Sequence, residues 1–290
     1  MTHYIHNINP ILLEIGGPLA VRWYGISYLM GFIACILLLR RWSKRGEFEV
    51  PEKEVSNFVV LLAFFGVFLG GRLGYVLFYG FDSFLEDPLY VFRVWDGGMA
   101  SHGGFIGVIL FLVWYAKKNH HHFLNLTDHM AVTTSLGFAF GRLANFVNGE
   151  LWGRASDVKW AVVFPQSAHL HYGQYTIPEI ERMVEAGQLV PRHPSQLYQA
   201  FAEGFLVFGI MMLLRRTAWG KRPGAPSISY LALYALARIA MEFFREPDST
   251  IYLGWLTKGQ LYSAVMIAVA VIVAWQLNLF RRSSATEQHG

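Results

Sequence analysis

Arg142, Asn145 and Asn148 recur every third residue, so a helix carries all three polar groups on one face. Tyr234, Arg238, Glu242 and Arg245 follow at intervals of four, four and three, a second face of the same kind. Three tripeptides of small–Arg–aliphatic type recur along the chain: Gly71-Arg72-Leu73, Gly141-Arg142-Leu143 and Ala237-Arg238-Ile239. His102 stands beside Gly103-Gly104. A planar guanidinium grips a phosphate oxygen pair through parallel hydrogen bonds, so converging arginines suit a phosphodiester. His102 is a candidate general base.

Each residue also has a plainer reading. Arg238 reaches Glu242 one helical turn on, and Arg245 reaches the same carboxylate at i−3. Arg72 can pair with a carboxylate or cap helix carbonyls. His102 can be an interfacial histidine with a local partner. For Arg142 no carboxylate precedes Glu150 on its own helix face, so a ligand is the favoured counterion. No His/Asp/Glu group has metal-ligand spacing, and neither Gly-x-Ser-x-Gly nor His-Glu-x-x-His occurs within an apolar run. No metal and no cofactor are expected. Cys35 lies inside an apolar run and reads as a small buried residue. His120, His121 and His122 form a loop run remote from the other polar groups.

The elements that must position these groups are apolar helices. Of 290 residues, 54% are hydrophobic and 15% charged. Soluble domains carry about 25% charged residues, so the chain reads as an all-α polytopic membrane protein. Seven apolar segments stand out: Leu19–Leu39, Ser56–Tyr79, Gly97–Ala116, His129–Asn148, Leu197–Leu214, Pro226–Phe244 and Leu261–Phe280. The fourth is the weakest, because it contains Thr133, Thr134, Ser135 and Asn145. The net charge of +4 does not indicate nucleic acid, since the basic residues cluster at the ends of apolar runs.

Those clusters set an orientation. Arg40, Arg41, Lys44, Arg45 and Lys53 fall on one side, with Lys117, Lys118, Arg215, Arg216, Lys221, Arg222, Arg281 and Arg282. The richer side is expected in the cytoplasm, which puts the N-terminus outside and the C-terminus inside. No cleavable signal peptide is apparent, because the first residues lack a basic stretch before an apolar run. The second, fourth and sixth segments then run outward, each with its arginine roughly 10 Å below the outer boundary at 1.5 Å per residue. Ser101 and His102, and Trp23 and Tyr24, enter from that same side.

Two outer segments are more than linkers. Residues 81–96 are rich in aromatics and suit the membrane interface. Residues 151–196 form the one long loop, with an expected strand at Trp160–Phe164, a helix at Pro178–Ala186 and a small external domain as the result. The expected layout is three parts. Residues 1–150 hold four spans and the interfacial arm, 151–196 the external domain, and 197–290 three spans and a tail.

Several of these motifs together resemble the prolipoprotein diacylglyceryl transferases of bacteria. The stretch Gly141-Arg142-Leu143-Ala144-Asn145-Phe146-Val147-Asn148-Gly149-Glu150-Leu151-Trp152-Gly153 resembles the family signature. Trp23-Tyr24-Gly25, Gly70-Gly71-Arg72-Leu73-Gly74-Tyr75 and His102-Gly103-Gly104 add to it. So do Arg192-His193-Pro194-Ser195-Gln196-Leu197-Tyr198 and Glu242-Phe243-Phe244-Arg245-Glu246-Pro247-Asp248. The resemblance covers nearly the whole chain and is weakest in the outer loop after Arg154. It implies an inner-membrane enzyme that moves a diacylglyceryl group from phosphatidylglycerol to the lipobox cysteine of a prolipoprotein signal peptide. The products are a thioether and glycerol phosphate. The resemblance also implies catalytic roles for His102, Arg142 and Arg238. Tyr24, Arg72, Asn145, Glu150, Gly153, Tyr234, Glu242 and Arg245 become substrate-site residues. Nothing in the motifs bears on oligomeric state. Two other classes fit the polar spans less well. A transporter or flippase of anionic lipid needs polar groups along paths to both leaflets, and a scaffold has no use for three buried arginines.

Overall fold

The computed structural model describes residues 3–16, 19–246 and 256–280. The elements are β1 (Tyr4–Ile5), β2 (Ile11–Gly16), β3 (Leu19–Arg22), α1 (Trp23–Lys44), α2 (Glu52–Phe78), α3 (Ser101–Asn119), α4 (Phe123–Asn148), β4 (Val162–Val163), α5 (Ile177–Glu185), α6 (Ser195–Leu214), α7 (Ala225–Glu242) and α8 (Lys258–Gln276). Helices α1, α2, α6 and α8 are long and apolar enough to cross a membrane. Helices α3, α4 and α7 coincide with the other three expected segments. Pro247, Asp248, Arg281 and Arg282 lie outside the described residues.

The first helix starts later than expected. Leu19–Arg22 is not its first turn but a strand, paired antiparallel with Ile11–Gly16. The backbone of Leu19–Arg22 pairs across to β2 instead of extending α1. Leu12, Leu13 and Ile15 on β2 are exposed.

The chain divides into two compact units: residues 35–130, and residues 1–34 with 131–290. In the first unit, α2 and α3 approach through glycine. A Cβ on Gly74 would fall 2.4 Å from the Gly103 Cα, and one on Gly107 would fall 2.3 Å from the Gly66 carbonyl oxygen. Small residues at such crossings let backbones meet. Nearer the start of α2, Phe58 packs against Tyr115 with ring centroids 4.8 Å apart. Glu49 receives the His122 ring at 2.7 Å and the His122 amide at 2.6 Å, so this carboxylate orders the histidine run.

Arg72 organises the arm of residues 81–98. It is 2% exposed. Its Nε donates to the Val91 carbonyl at 3.0 Å. Nη1 donates to Gly97 at 2.5 Å and Gly98 at 3.1 Å. Nη2 donates to Tyr90 at 2.5 Å and Arg93 at 2.9 Å. A guanidinium has five N–H groups, and these bonds use all of them. The Tyr90 ring stacks 4.9 Å from the cation. Arg93 pairs with Asp87 on the surface of the arm.

In the second unit, α7, α8 and the turn after α8 bury Ala225, Ile228, Ala270, Ala274 and Leu279 together. Residues 151–196 carry the short elements β4 and α5. Helix α5 falls one residue from its expected place, and its Ile180 packs with Val163 and Leu189. The expected strand shrinks to β4, whose partner is β1 from the chain's beginning, in parallel register Tyr4↔Val162. Tyr175 Oη donates to the His6 carbonyl at 3.0 Å and fastens that strand further. His6 is fully buried between Phe146 and Phe164, and burial pushes its pKa down.

Replacing Arg72 tests the organising role. Arg72→Ala should open the arm to added protease near Phe92 and destabilise the protein by roughly 3 kcal/mol, the scale of a broken buried hydrogen-bond network. Arg72→Lys should not rescue it, because an ammonium has three donors and no planar fork. A wild-type digestion pattern in Arg72→Ala would assign the arm's order to other contacts.

Candidate functional site

The second unit holds a chain of alternating charges built from three helices. Helix α6 supplies its centre. Between two α-helical ends, residues Ala200–Leu206 wind as π-helix. The wider turn changes which way successive side chains point, and such turns occur frequently at functional sites. Glu203 sits in the middle of it and is 0% exposed. The neighbouring Gly204 allows α6 to touch α4, since a Cβ there would fall 2.7 Å from the Ala139 Cα. Arg142 follows Ala139 by three residues on α4, so this contact sets Arg142 against Glu203.

The ion pairs then run in series. Glu203 Oε2 lies 3.5 Å from Arg142 Nη2, and Glu203 Oε1 lies 3.5 Å from Arg238 Nη1. Arg238 Nη2 lies 3.0 Å from Glu242 Oε2, the i+4 pair that the spacing anticipated. Glu242 in turn lies against Gly259, where a Cβ would fall 2.8 Å from Oε2. A capping box places that glycine in the first turn of α8: Thr257 Oγ1 accepts from Gln260 N at 3.2 Å, and Gln260 Oε1 accepts from Thr257 N at 3.1 Å. Arg142 therefore does have a protein carboxylate, contrary to expectation. It comes from another helix, which same-face spacing cannot reveal.

The pairs at 3.5 Å are longer than charge-assisted hydrogen bonds, which close to about 2.7–2.9 Å. Among the described residues, both Glu203 oxygens, Arg142 Nε and Arg238 Nη1 are buried without a hydrogen-bond partner. So are both amide atoms of Gln199, one turn before Glu203, and the Tyr230 hydroxyl on α7. Buried polar groups are nearly always satisfied, so this concentration marks a cluster with hydrogen-bonding capacity to spare.

The remaining expected residues of this unit surround the cluster or build its frame. Tyr234 stands one turn before Arg238 and packs its ring 4.9 Å from Phe138 of α4. Asn145 donates to Glu150 Oε1 at 2.8 Å, and Asn148 to the same oxygen at 3.4 Å. Gly149, at φ +66, turns the chain so that Glu150 folds back over the end of α4. Gln196 Nε2 donates to the Glu150 carbonyl at 2.7 Å and ties this turn to the start of α6. Gly153 is where three segments cross. Its amide donates to the His193 carbonyl at 2.9 Å, and a Cβ would fall 2.5 Å from the Phe244 carbonyl oxygen. Arg245, buried, accepts on its carbonyl from Arg154 Nε at 3.0 Å. Tyr24, in the first turn of α1, packs with Tyr28 at 5.5 Å.

Arg72 and His102 belong to the other unit. Arg72 is the clearest departure from expectation. Its five donors are occupied by the arm's carbonyls, so it has none to offer a ligand unless the arm opens. His102 lies in the first turn of α3 and is exposed. Among the described residues no group of three or more His, Cys, Asp or Glu could hold a metal ion.

Glu203, Gln199, Gly204 and Gly259 went unread in the sequence. Glu203 alone left a usable signal. It is the only charged residue between 195 and 214, and an ionisable group inside an apolar span is a functional candidate.

The fold and the cluster together define a helical membrane protein with a buried, polar, arginine-centred site. Residues 10–276 match the prolipoprotein diacylglyceryl transferase family. Three bacterial proteins named phosphatidylglycerol–prolipoprotein diacylglyceryl transferase are similar over nearly their whole length. The one from Aeromonas hydrophila is 43% identical over 272 residues, 92% of this chain and 90% of its own. The one from Sodalis glossinidius is 42% identical over 282 residues, 94% and 96% of the two chains. The one from Pectobacterium atrosepticum is 43% identical over 286 residues, 96% of each. The chain belongs to the prolipoprotein diacylglyceryl transferase family.

Proposed function

We propose that this chain transfers the diacylglyceryl group of phosphatidylglycerol to the lipobox cysteine of a prolipoprotein, the first step of lipoprotein maturation. The observation that carries the reading, beside family membership, is the pair of guanidiniums facing one buried carboxylate. The cysteine sulfur attacks a glyceryl carbon, a C–S bond forms, and the C–O bond to phosphate breaks. Glycerol phosphate departs with the electron pair, so negative charge grows on the phosphate oxygens. Arg142 and Arg238 supply the donors that meet it. The thiol proton goes to His102, because a free cysteine near pKa 8.5 is mostly protonated at neutral pH. Glu242 holds Arg238. Asn145 and Glu150 shape the end of α4, and Tyr24, Tyr234, Gly153 and Arg245 complete the substrate site.

The seven apolar segments are seven spans in this reading. Residues 1–150 form four of them with the interfacial arm, 151–196 a periplasmic domain, and 197–290 the last three. The N-terminus faces the periplasm and the C-terminus the cytoplasm of a bacterial inner membrane. Exposed Leu12, Leu13 and Ile15 on β2, and Phe92 and Trp95 on the arm, suit the membrane interface.

Purified protein incubated with phosphatidylglycerol and a lipobox peptide should yield the thioether. Arg142→Lys and Arg238→Lys should each lose about 10²–10³-fold in rate, the usual cost of a missing charge-stabilising donor. Lysine keeps the charge and loses the fork. Lipid movement between leaflets with no thioether would replace the transferase with a transporter.

Orientation has its own check. In intact cells a membrane-impermeant maleimide should label His171→Cys, in a chain whose one native cysteine, Cys35, is buried. Labelling only after the inner membrane is breached would reverse the topology.

A further inference from the structure

Glu203 is a buried carboxylate for which the proposed reaction has no use: it is neither nucleophile nor base, and the phosphate it would meet is itself an anion. Its surroundings are nevertheless specific. Each oxygen faces a different guanidinium at 3.5 Å, one on α4 and one on α7, and among the described residues neither oxygen has a hydrogen bond. Gly204 beside it brings α6 against the backbone of Ala139, so the carboxylate is placed by helix packing and not by a flexible linker. Glu203 lies within the π-helical stretch Ala200–Leu206, and its side chain reaches between the two arginines.

Arg142 and Arg238 carry two positive charges, and Glu203 and Glu242 two negative ones, so these four side chains are neutral together. A bare pair of arginines would bind a phosphodiester monoanion tightly, and binding reactant and transition state equally well adds nothing to turnover. Glu203 competes for the same donors. A phosphodiester with one charge displaces it weakly, whereas a departing phosphate with growing charge displaces it fully. The carboxylate thus fixes the spacing of the guanidiniums and reserves their strongest hydrogen bonds for the moment of C–O cleavage.

We propose that Glu203 is a positioning residue of the transfer reaction, holding Arg142 and Arg238 at a shared spacing and yielding them to the phosphate as its charge develops. This rests on the transferase reading above. Its signature is opposite movement of two parameters. Glu203→Gln removes the competing charge and should lower KM for phosphatidylglycerol several-fold while kcat falls by about 10²-fold, the scale of a lost preorganised donor. Glu203→Asp keeps the charge and should hold KM near the wild-type value with kcat between the two.

The experiment measures both parameters with purified full-length protein, dispersed phosphatidylglycerol and a lipobox peptide. Direct phosphatidylglycerol binding to each variant is measured in parallel. Tighter binding with slower turnover in Glu203→Gln, partly rescued in Glu203→Asp, is the expected result. Three results overturn the proposal. One is wild-type kcat in Glu203→Gln. Another is a fall in kcat with binding unchanged or weakened, equal in both variants. The third is failure of both variants to fold, which makes the residue a stability element. Absence of thioether from the wild-type protein is a separate outcome and removes the transferase reading itself.

Discussion

A guanidinium in an apolar interior must be compensated, and the manner of compensation decides what it can still do. Moving an ion out of water costs several kcal/mol even after relaxation. Here three arginines meet that constraint in two ways. Arg72 gives every N–H to a carbonyl of the arm and becomes a fastener. Arg142 and Arg238 are matched by carboxylates, at distances on Glu203 that leave donors without close partners. Identical side chains in similar tripeptides therefore differ in availability. A saturated arginine is structural, and an ion-paired but unsaturated one can be recruited by a stronger anion.

Packing serves this arrangement. Glycine appears where a helix must come close enough to deliver a charge: Gly204 against Ala139 for Glu203, and Gly259 against Glu242. Gly153 does the same where the chain crosses itself, and the Phe244 and His193 carbonyls leave no room there for a side chain. The signature stretch 141–153 thus has two physical jobs. Its first half puts Arg142 on a helix face. Its second half ends that helix with a left-handed glycine and a carboxylate folded back on Asn145.

What was legible in the sequence is what is local. The Arg238–Glu242 pair is one turn apart on one helix, and spacing alone finds it. Helix α5 is legible because its apolar face and its Thr176–Glu179 box lie within ten residues. Arg142–Glu203 joins residues on different helices, so no period on either reports it, although a lone carboxylate in an apolar run was a warning. Arg72 was ambiguous because its partners are carbonyls, which every residue has. The β1–β4 pairing was invisible for a similar reason: two-residue strands have no pattern, and Tyr4 and Val162 are far apart in the chain. The start of α1 slipped because Leu19–Arg22 is apolar enough for a span, yet its backbone pairs with β2.

The central claim is that Arg142 and Arg238 leave Glu203 for phosphate. Electron cryomicroscopy of the protein in bilayers with the leaving group, glycerol phosphate, bound tests it most directly. The account predicts its phosphate within about 3 Å of both guanidiniums, the range of charge-assisted hydrogen bonds, with the Glu203 distances lengthened. Phosphate bound elsewhere, with both arginines still closed on Glu203, would contradict it.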